Sequence, residues 1–241
     1  MNMMTLKKIE QLEYNYLNKI EFDLNQDLSK MIEGLNSKNK IKSDWIRYFE
    51  RADKKSQNSD FARGAERIYF WLFNQFGKPN SSPIGADMFF ETHDAFVHID
   101  IKTAKFDNFS DYKGKVPLGV NQTSYRSSKK SFKVHLPTFY NKNKTEEKIC
   151  LTFVINIVYE KIKSEFKILA IVLISIPNGE LFSVYKDKII SASKNKGEAF
   201  RYSYNKMPYF KLLGKNLYRV KFLFKDNNID KKDIFGFNNN E

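Results

Sequence analysis

The sequence has little of what marks exported, disulfide-stabilised or membrane-spanning proteins. A single cysteine, Cys150, occurs in 241 residues, which excludes an internal disulfide framework and a cysteine-rich zinc site. Its apolar neighbours predict a buried, inert thiol. The longest apolar run, residues 168–176, is far shorter than the roughly 20 residues of a transmembrane helix. No apolar signal core follows the N-terminus, so we expect a cytoplasmic protein that does not enter membranes.

Acidic residues are few relative to basic ones: 28 against 41, which gives a net charge of +13. Such an excess favours nucleic acid, an anionic membrane or an acidic protein as partner. A membrane surface is disfavoured because the sequence shows neither a basic amphipathic helix nor a lipidation signal. Many lysines lie in segments rich in Ser, Asn and Tyr, which suit phosphate oxygens. The alternative is a lysine-rich composition without a specific partner, since only seven basic residues are arginine.

The N-terminal third of the chain has the periodicity of helices. Between Leu6 and Leu35 apolar residues recur at three- and four-residue spacings, and Gly34 with the polar run 36–40 ends this pattern. A second helix is predicted after Ser43 as N-cap, and a third over residues 61–76. We therefore expect a helical N-terminal segment.

The remainder of the chain favours strands. Two alternating segments, 85–91 and 96–104, flank residues 92–95 and predict a β-hairpin. Two nearly continuous apolar segments are typical of central strands that are covered on both faces. These and the other strand candidates are residues 149–159, 166–176, 181–185 and 217–224. The end of the chain is polar and predicts a frayed tail.

These patterns predict one α/β (α+β mixed-sheet) fold preceded by helices. We divide the chain into a helical segment, 1–59, whose extra apolar positions suit dimerisation, a core, 60–225, and a polar tail, 226–241.

The predicted hairpin places three polar side chains on one face of its second strand. Because successive strand residues point to opposite faces, His98, Asp100 and Lys102 lie together, opposite their apolar neighbours. Counting outward in pairs from the turn at 92–95 places Asp87 opposite Asp100.

Opposed residues on one sheet face have Cβ atoms ~5 Å apart, and like charges there are destabilising. Asp87 and Asp100 therefore need a shared proton or a cation, and a hard divalent cation with oxygen ligands fits best. In the alternative interpretation, Asp100 and Lys102 form an exposed ion pair on an edge strand and Asp87 caps a turn.

Asp87 followed by Asp100-Ile101-Lys102 resembles the Asp…(Asp/Glu)-x-Lys motif of the restriction-endonuclease-like, or PD-(D/E)xK, nuclease superfamily. Glu66 resembles the acidic helix residue that many members place near the metals. More narrowly, residues 99–103 and the Leu-Gly…Thr-Ser segment at 118–126 resemble EcoRV-type type II restriction endonucleases. The resemblance covers roughly residues 60–160, with alanine where the motif's name has proline.

The resemblance implies an active site with Mg²⁺. Asp87, Asp100 and the carbonyl of Ile101 would hold the ion, and Lys102 would orient or deprotonate the attacking water and stabilise charge on the phosphate. Glu66 would contact a second metal or its water; an ordinary exposed helix glutamate is the alternative.

The resemblance also implies three DNA-contacting segments. The phosphates would be contacted by Thr123, Ser124, Tyr125 and Arg126. The minor groove would be reached by Asn80, Ser81 and Ser82. The major groove would be read by Lys194, Asn195, Lys196, Arg201 and Tyr202. For the last segment an ordinary basic surface loop is the alternative.

The function that follows is a type II restriction endonuclease, a homodimer that hydrolyses both strands of a palindromic site in double-stranded DNA with Mg²⁺ and leaves 5′-phosphate and 3′-hydroxyl ends. A companion DNA methyltransferase is expected in the host, not as a bound partner. Two alternatives remain: another nuclease of the same superfamily, acting in repair or junction resolution, and a basic DNA-binding protein without catalytic activity.

Overall fold

The computed structural model describes residues 3–36, 64–66, 87–127, 134–142, 146–162, 165–193 and 199–237. Within these ranges, no helix combines the length and the apolar character needed to cross a membrane. The predicted helix after Ser43 lies outside the described residues, and of the helix predicted over 61–76 only residues 64–66 are described, as helix.

Six of the described strands form one mixed sheet: β1 (Met88–Glu91), β2 (Ala95–Lys105), β4 (Phe139–Lys142), β5 (Glu146–Ile162), β6 (Glu165–Ile176) and β9 (Val220–Lys225). Their order in the sheet is β1-β2-β5-β6-β9, with β4 beside β5. Strand β2 runs parallel to β5, and the other neighbours are antiparallel. The predicted hairpin, the two apolar strands and the strand over 217–224 are thereby confirmed.

A second sheet has three strands, β3 (Val116–Gly119), β7 (Ile190–Ala192) and β8 (Ala199–Tyr202). Their order in the sheet is β3-β8-β7. Hydrogen bonds connect this part of the chain to the main sheet, among them Asn156 Nδ2 to the carbonyl of Asp111. Asp111 in turn accepts from Arg201 of β8. The 3₁₀ turn that contains Asp111 (Phe109–Asp111) therefore lies beside Asn156 of β5, which pairs with Lys102 of β2.

The N-terminal helices pack on the main sheet. Helix α1 (Met3–Gln26) contacts β5, β6 and β9, and α2 (Leu28–Asn36) contacts β6. The predicted apolar stripe is buried in the same core as the strands, at Leu6, Ile9, Leu17, Ile20, Leu24, Met31 and Leu35. Cys150 on β5 is buried, as expected. The division of the chain at residues 59 and 225 stays a prediction.

Two local predictions differ from the structure. Residues 181–185, predicted as a strand, are helical: a short 3₁₀ turn leads into α3 (Phe182–Tyr185). Leu181 and Tyr185 are both buried, and their spacing of four also fits one face of a helix. The Asn178 side chain starts this turn by accepting the Glu180 N–H, an N-cap interaction that favours helix over strand.

The end of the chain is not a frayed tail up to residue 237. Helix α4 (Lys231–Phe235) buries Ile234 and Phe235. The ring of Phe235 stacks on Phe222 of β9 at 4.0 Å between centroids. Gly236 then takes a φ of 69° and ends the helix, a left-handed conformation that glycine adopts without strain. Because the segment is mostly polar, its composition did not indicate that Ile234 and Phe235 are buried.

Candidate active site

The register of the β1–β2 hairpin is the predicted one. Met88 pairs with Ile99 and Phe90 with Val97. One further step along the same register places Asp87 opposite Asp100, on the sheet face that carries Lys102. The two carboxylates and the ammonium are therefore brought together, as the alternation of the sequence predicts.

Asp87 immediately precedes β1. At this point β2 extends beyond the start of β1, so the edge of β2 that faces Asp87 is not paired with β1. Its Oδ2 accepts the main-chain N–H of Ile101 at 2.6 Å. The N–H and carbonyl of one strand residue point to the same side of the strand, so the Ile101 carbonyl faces the same edge as the Asp87 carboxylate. A carboxylate and a carbonyl oxygen are thus available at one place.

Asp100 and Lys102 form an ion pair that is not on the surface. Lys102 Nζ lies 2.5 Å from Asp100 Oδ2, and the side chain of Asp100 is 1% exposed while that of Lys102 is 23% exposed. Strand β2 pairs with β5 along its whole length, whereas β1 pairs only with residues 96–99 of it. Because Asp100 is buried, the alternative of an exposed ion pair is wrong.

Burial makes the two carboxyl groups reluctant to ionise together. It raises the pKa of Asp100 to about 7, Lys102 opposes this rise, and the neighbouring Asp87 adds to it. Burial also raises the pKa of Asp87, against the N–H of Ile101 and the charge of Lys102. A cation between them would favour the ionised form of both.

The donors present fit a hard divalent cation. Within the described ranges no group of three His, Cys, Asp and Glu side chains forms a metal cluster, so the candidate set is two carboxylates and the Ile101 carbonyl, completed by water. All of these are oxygen ligands, which Mg²⁺ prefers; it commonly takes one or two carboxylates and keeps several waters. Asp100 Oδ2 is buried and, among the described residues, accepts no well-directed hydrogen bond despite the proximity of Lys102.

His98 shares this face but belongs to an aromatic cluster. Its Nε2 lies 3.1 Å from the Tyr140 hydroxyl, and its ring packs against Phe89 and Tyr140. Burial lowers its pKa to about 4, so the ring is neutral near pH 7. Glu66 is helical and half-buried; its role near a metal stays a prediction.

Two polar residues near the site were not singled out in the sequence. Gln122 Nε2 donates to Asp100 Oδ1 at 2.8 Å. Asn156 pairs in register with Lys102 across β2 and β5, and its buried Oδ1 has no hydrogen-bond partner in the described part of the chain. A polar residue inside the apolar run 149–159 was a usable signal for Asn156, whereas the contact of Gln122 depends on how its loop folds.

Of the predicted phosphate-contacting residues, the structure exposes only Arg126. Thr123, Ser124 and Tyr125 are at most 2% exposed. Thr123 Oγ1 accepts the Tyr125 N–H, Ser124 Oγ accepts the Gly179 N–H, and the Tyr125 hydroxyl donates to the Lys186 carbonyl. These three hydroxyl groups serve the packing of the loop, so a phosphate contact stays a prediction for Arg126 alone.

The predicted major-groove segment also needs correction. Arg201 is 8% exposed and Tyr202 is 1% exposed. The Arg201 guanidinium binds Asp111 at 3.1 and 2.8 Å and the Ala192 carbonyl at 2.9 Å, so it is committed within the protein and is not positioned to read a base. The remaining DNA-contact predictions, Asn80, Ser81, Ser82, Lys194, Asn195 and Lys196, lie outside the described residues.

Two family models match the chain, and solved structures of restriction endonucleases resemble it. The N-terminal domain model of the type II restriction enzyme MwoI matches residues 5–164, and its central domain model matches residues 168–225. The restriction endonuclease BglI, solved with its DNA recognition sequence, is 16% identical, with a TM-score of 0.63 over 90% of each chain. Tetrameric SfiI, solved with cognate DNA, is 12% identical, with a TM-score of 0.65 over 93% of this chain and 87% of that one. No curated protein sequence matches the chain.

These likenesses confirm the predicted restriction-endonuclease-like fold. The narrower resemblance to EcoRV-type enzymes stays a prediction.

Proposed function

Because the chain belongs to the family of the type II restriction enzyme MwoI, we propose that it cleaves both strands of one palindromic duplex site with Mg²⁺, leaving 5′-phosphate and 3′-hydroxyl ends. Membership makes the chain a type II restriction endonuclease, a site-specific deoxyribonuclease whose partner is DNA. Enzymes of this class generally depend on a divalent metal. The identity of the metal, the symmetry of the site and the residues that act are the parts proposed.

The observation that carries the catalytic assignment is the group formed by Asp87, Asp100 and Lys102. The buried carboxyl group of Asp100 and the more exposed carboxyl group of Asp87, both with raised pKa values, lie at one strand edge, and an ammonium lies 2.5 Å from Asp100. Perturbed ionisable groups that converge on one place are typical of active sites. We assign Asp87, Asp100 and the Ile101 carbonyl as ligands of Mg²⁺. Glu66, in the helical segment 64–66, is a further candidate to contact a metal or its water.

Residues of the chain itself position the attacking water and the DNA. When bound, a divalent cation lowers the pKa of a coordinated water and offsets the charge that develops on the phosphate. Lys102, partly exposed beside Asp100, orients the attacking water and stabilises the same phosphate charge. Burial of Asp100 excludes bulk water and strengthens these electrostatic interactions. Arg126, exposed on the surface, contacts a phosphate and so fixes the register of the DNA without reading sequence.

A homodimer follows from the proposed palindromic site, because two-fold symmetry in DNA matches two-fold symmetry in the protein. Each protomer would cleave one strand. The proposed place of action is the cytoplasm. The expected companion in the host is a DNA methyltransferase of the same specificity.

A plasmid of known sequence tests the proposal. Incubation with Mg²⁺ is expected to give discrete fragments whose mapped termini share one palindromic sequence, and EDTA is expected to abolish cleavage. A smear of fragments would instead indicate a non-specific nuclease of the same superfamily. Retarded but intact DNA would indicate a DNA-binding protein without catalytic activity.

A further inference from the structure

We propose that Gln122 is a positioning residue that holds one oxygen of Asp100, so that the other oxygen is the one presented to the catalytic cation. The proposal rests on the proposed function, because it takes Asp100 as a metal ligand. Gln122 touches neither the ion nor the DNA in this role and acts only through Asp100.

Both ends of the Gln122 amide are held. Nε2 donates to Asp100 Oδ1 at 2.8 Å, and Oε1 accepts the main-chain N–H of Gly119 at 2.7 Å. A main-chain N–H can be satisfied only by the amide oxygen, so the orientation of the amide is fixed by Gly119 and its NH₂ group must face Asp100. The donor is therefore directed at the carboxylate by a second, independent contact.

The two oxygens of Asp100 then have different neighbours. Oδ1 is held by Gln122, whereas Oδ2 lies beside Lys102, at 2.5 Å from its Nζ. The side chain of Asp100 is 1% exposed, so it has little freedom to exchange the two oxygens. The oxygen left for the cation is the one next to the ammonium that acts on the attacking water. Carboxylate ligands of metals are commonly held by such neighbouring donors.

The contact also joins two parts of the fold. Gly119 is the last residue of β3 and pairs with Ala199 of β8, whereas Asp100 belongs to β2 of the main sheet. Gln122 therefore links the end of the second sheet to the metal-binding strand. If a residue of this loop contacted DNA directly, its replacement would lower the affinity for DNA. Replacement of a residue that acts through Asp100 would instead lower the affinity for the metal, so the two roles can be distinguished.

The test replaces Gln122 by methionine, which keeps the length of the side chain and removes both hydrogen bonds. Binding of Mn²⁺ alone, without DNA, is measured from the electron paramagnetic resonance of the free ion, and cleavage is resolved into kcat and KM. We expect Gln122→Met to weaken Mn²⁺ binding by about 10–100-fold and to lower kcat, with KM for DNA nearly unchanged. Gln11→Met, at an exposed position of α1 where the Gln11 amide donates a hydrogen bond to Asn15, is the matched control and is expected to behave as wild type.

Unchanged Mn²⁺ affinity in Gln122→Met, or a rise in KM alone, would overturn the proposal. If Gln122→Met does not fold, Gln122→Asn, which keeps an amide one methylene short, is measured in the same way and must show the same loss. Asp100→Asn, measured alongside, separates the two levels of the argument. If Asp100→Asn retains Mn²⁺ binding and cleavage, the proposed active site is wrong; if it loses both while Gln122→Met does not, only the role of Gln122 is wrong.

Discussion

Two arginines that the family resemblance assigned to DNA contacts differ in how far they are exposed to solvent. Arg126 is exposed, whereas Arg201 is 8% exposed and binds Asp111 through two hydrogen bonds. A guanidinium that is paired inside the protein would have to break that pair before it could reach a base. The two residues therefore lead to opposite expectations for their variants.

Arg126→Ala is expected to weaken DNA binding several-fold on all sequences alike. Removal of one phosphate contact should reduce the slope of log K against log salt concentration by about 1. Binding to cognate and unrelated duplexes at several salt concentrations measures this. Lys30→Ala, at an exposed lysine of α2 paired with Asp27, is the control. An unchanged slope for Arg126→Ala would show that this arginine contacts no phosphate.

Arg201→Met is expected to reduce stability and leave the recognised sequence unchanged. The substitution keeps an apolar stem but leaves Asp111 without its guanidinium, at a cost of about 2–3 kcal/mol. For a chain of this size that corresponds to a fall in Tm of roughly 5–10 °C. Thermal unfolding gives the stability, and mapped cleavage termini give the specificity. Arg126→Met, at the exposed site, is expected to change stability by less than about 0.5 kcal/mol; a changed recognition sequence in Arg201→Met would restore its assignment to the major groove.

Single residues were predictable where their positions follow from strand geometry. The convergence of Asp87, Asp100 and Lys102 needs only the alternation of side chains and the position of one turn, and both are local properties of the sequence. The contact of Gln122 with Asp100 and the burial of Arg201 depend on how loops fold back on the main sheet, which no local pattern specifies.

At the scale of elements, a buried polar network fixes helix α1 to the sheet. Glu10 and Glu13 of α1 both pair with Arg219, which precedes β9. The Tyr185 hydroxyl donates to Glu10, and the N–H of Asn178 donates to Glu13 at 2.6 Å. These groups are almost completely buried, and one guanidinium faces two carboxyl groups. Burial therefore raises the pKa of Glu13 to about 7, against the opposing attraction of Arg219.

The raised pKa of Glu13 predicts a pH-dependent stability. The folded protein retains this proton up to about pH 7, whereas the unfolded chain loses it near pH 4.5. The resulting contribution to stability is complete below pH 4.5 and is lost as the pH rises through 7, by an amount on the order of 3 kcal/mol at most. Glu13→Gln cannot ionise, so its free energy of unfolding should rise relative to wild type between pH 5 and pH 8. A difference between the two proteins that does not change with pH would contradict the raised pKa.

Element types were predicted best where the periodicity was long. The stripe of α1 and α2 and the apolar runs of β5 and β6 give unambiguous patterns, because burial on one or both faces constrains many residues at once. Short segments failed: residues 181–185 fit either a strand or one helical turn, and α4 is anchored by only two buried residues. The parallel pairing of β2 with β5 joins strands distant in sequence and has no local signature.

At the scale of the whole molecule, the helices and the two sheets form one continuous core. Leu17 and Ile20 of α1 belong to the same buried cluster as Phe153 of β5 and Phe235 of α4. Much of the apolar surface of residues 3–36, the described part of the predicted dimerisation segment, is therefore buried within the chain. On α1, Phe22 remains 66% exposed, and it is the candidate for an interface between copies.

We expect the wild-type protein to sediment as a dimer, and Phe22→Asp to shift it towards the monomer, because a charge at a buried contact is not compensated. Analytical ultracentrifugation over a range of concentrations measures this. Phe109→Asp, at another phenylalanine that is 57% exposed, serves as the control and should leave the assembly unchanged. A wild-type monomer that cleaves both strands at its site would contradict the dimer.

The central claim, that Lys102 acts beside two metal-binding carboxylates, is tested most directly by single-turnover cleavage of saturating cognate DNA with Mg²⁺. Lys105→Ala is the matched control, since Lys105 lies on the same strand and pairs with Asp107 at 3.0 Å. We predict that Lys102→Ala cleaves about 10²–10⁴-fold more slowly than wild type while Lys105→Ala cleaves at nearly the wild-type rate. Cleavage by Lys102→Ala at the wild-type rate would contradict the account.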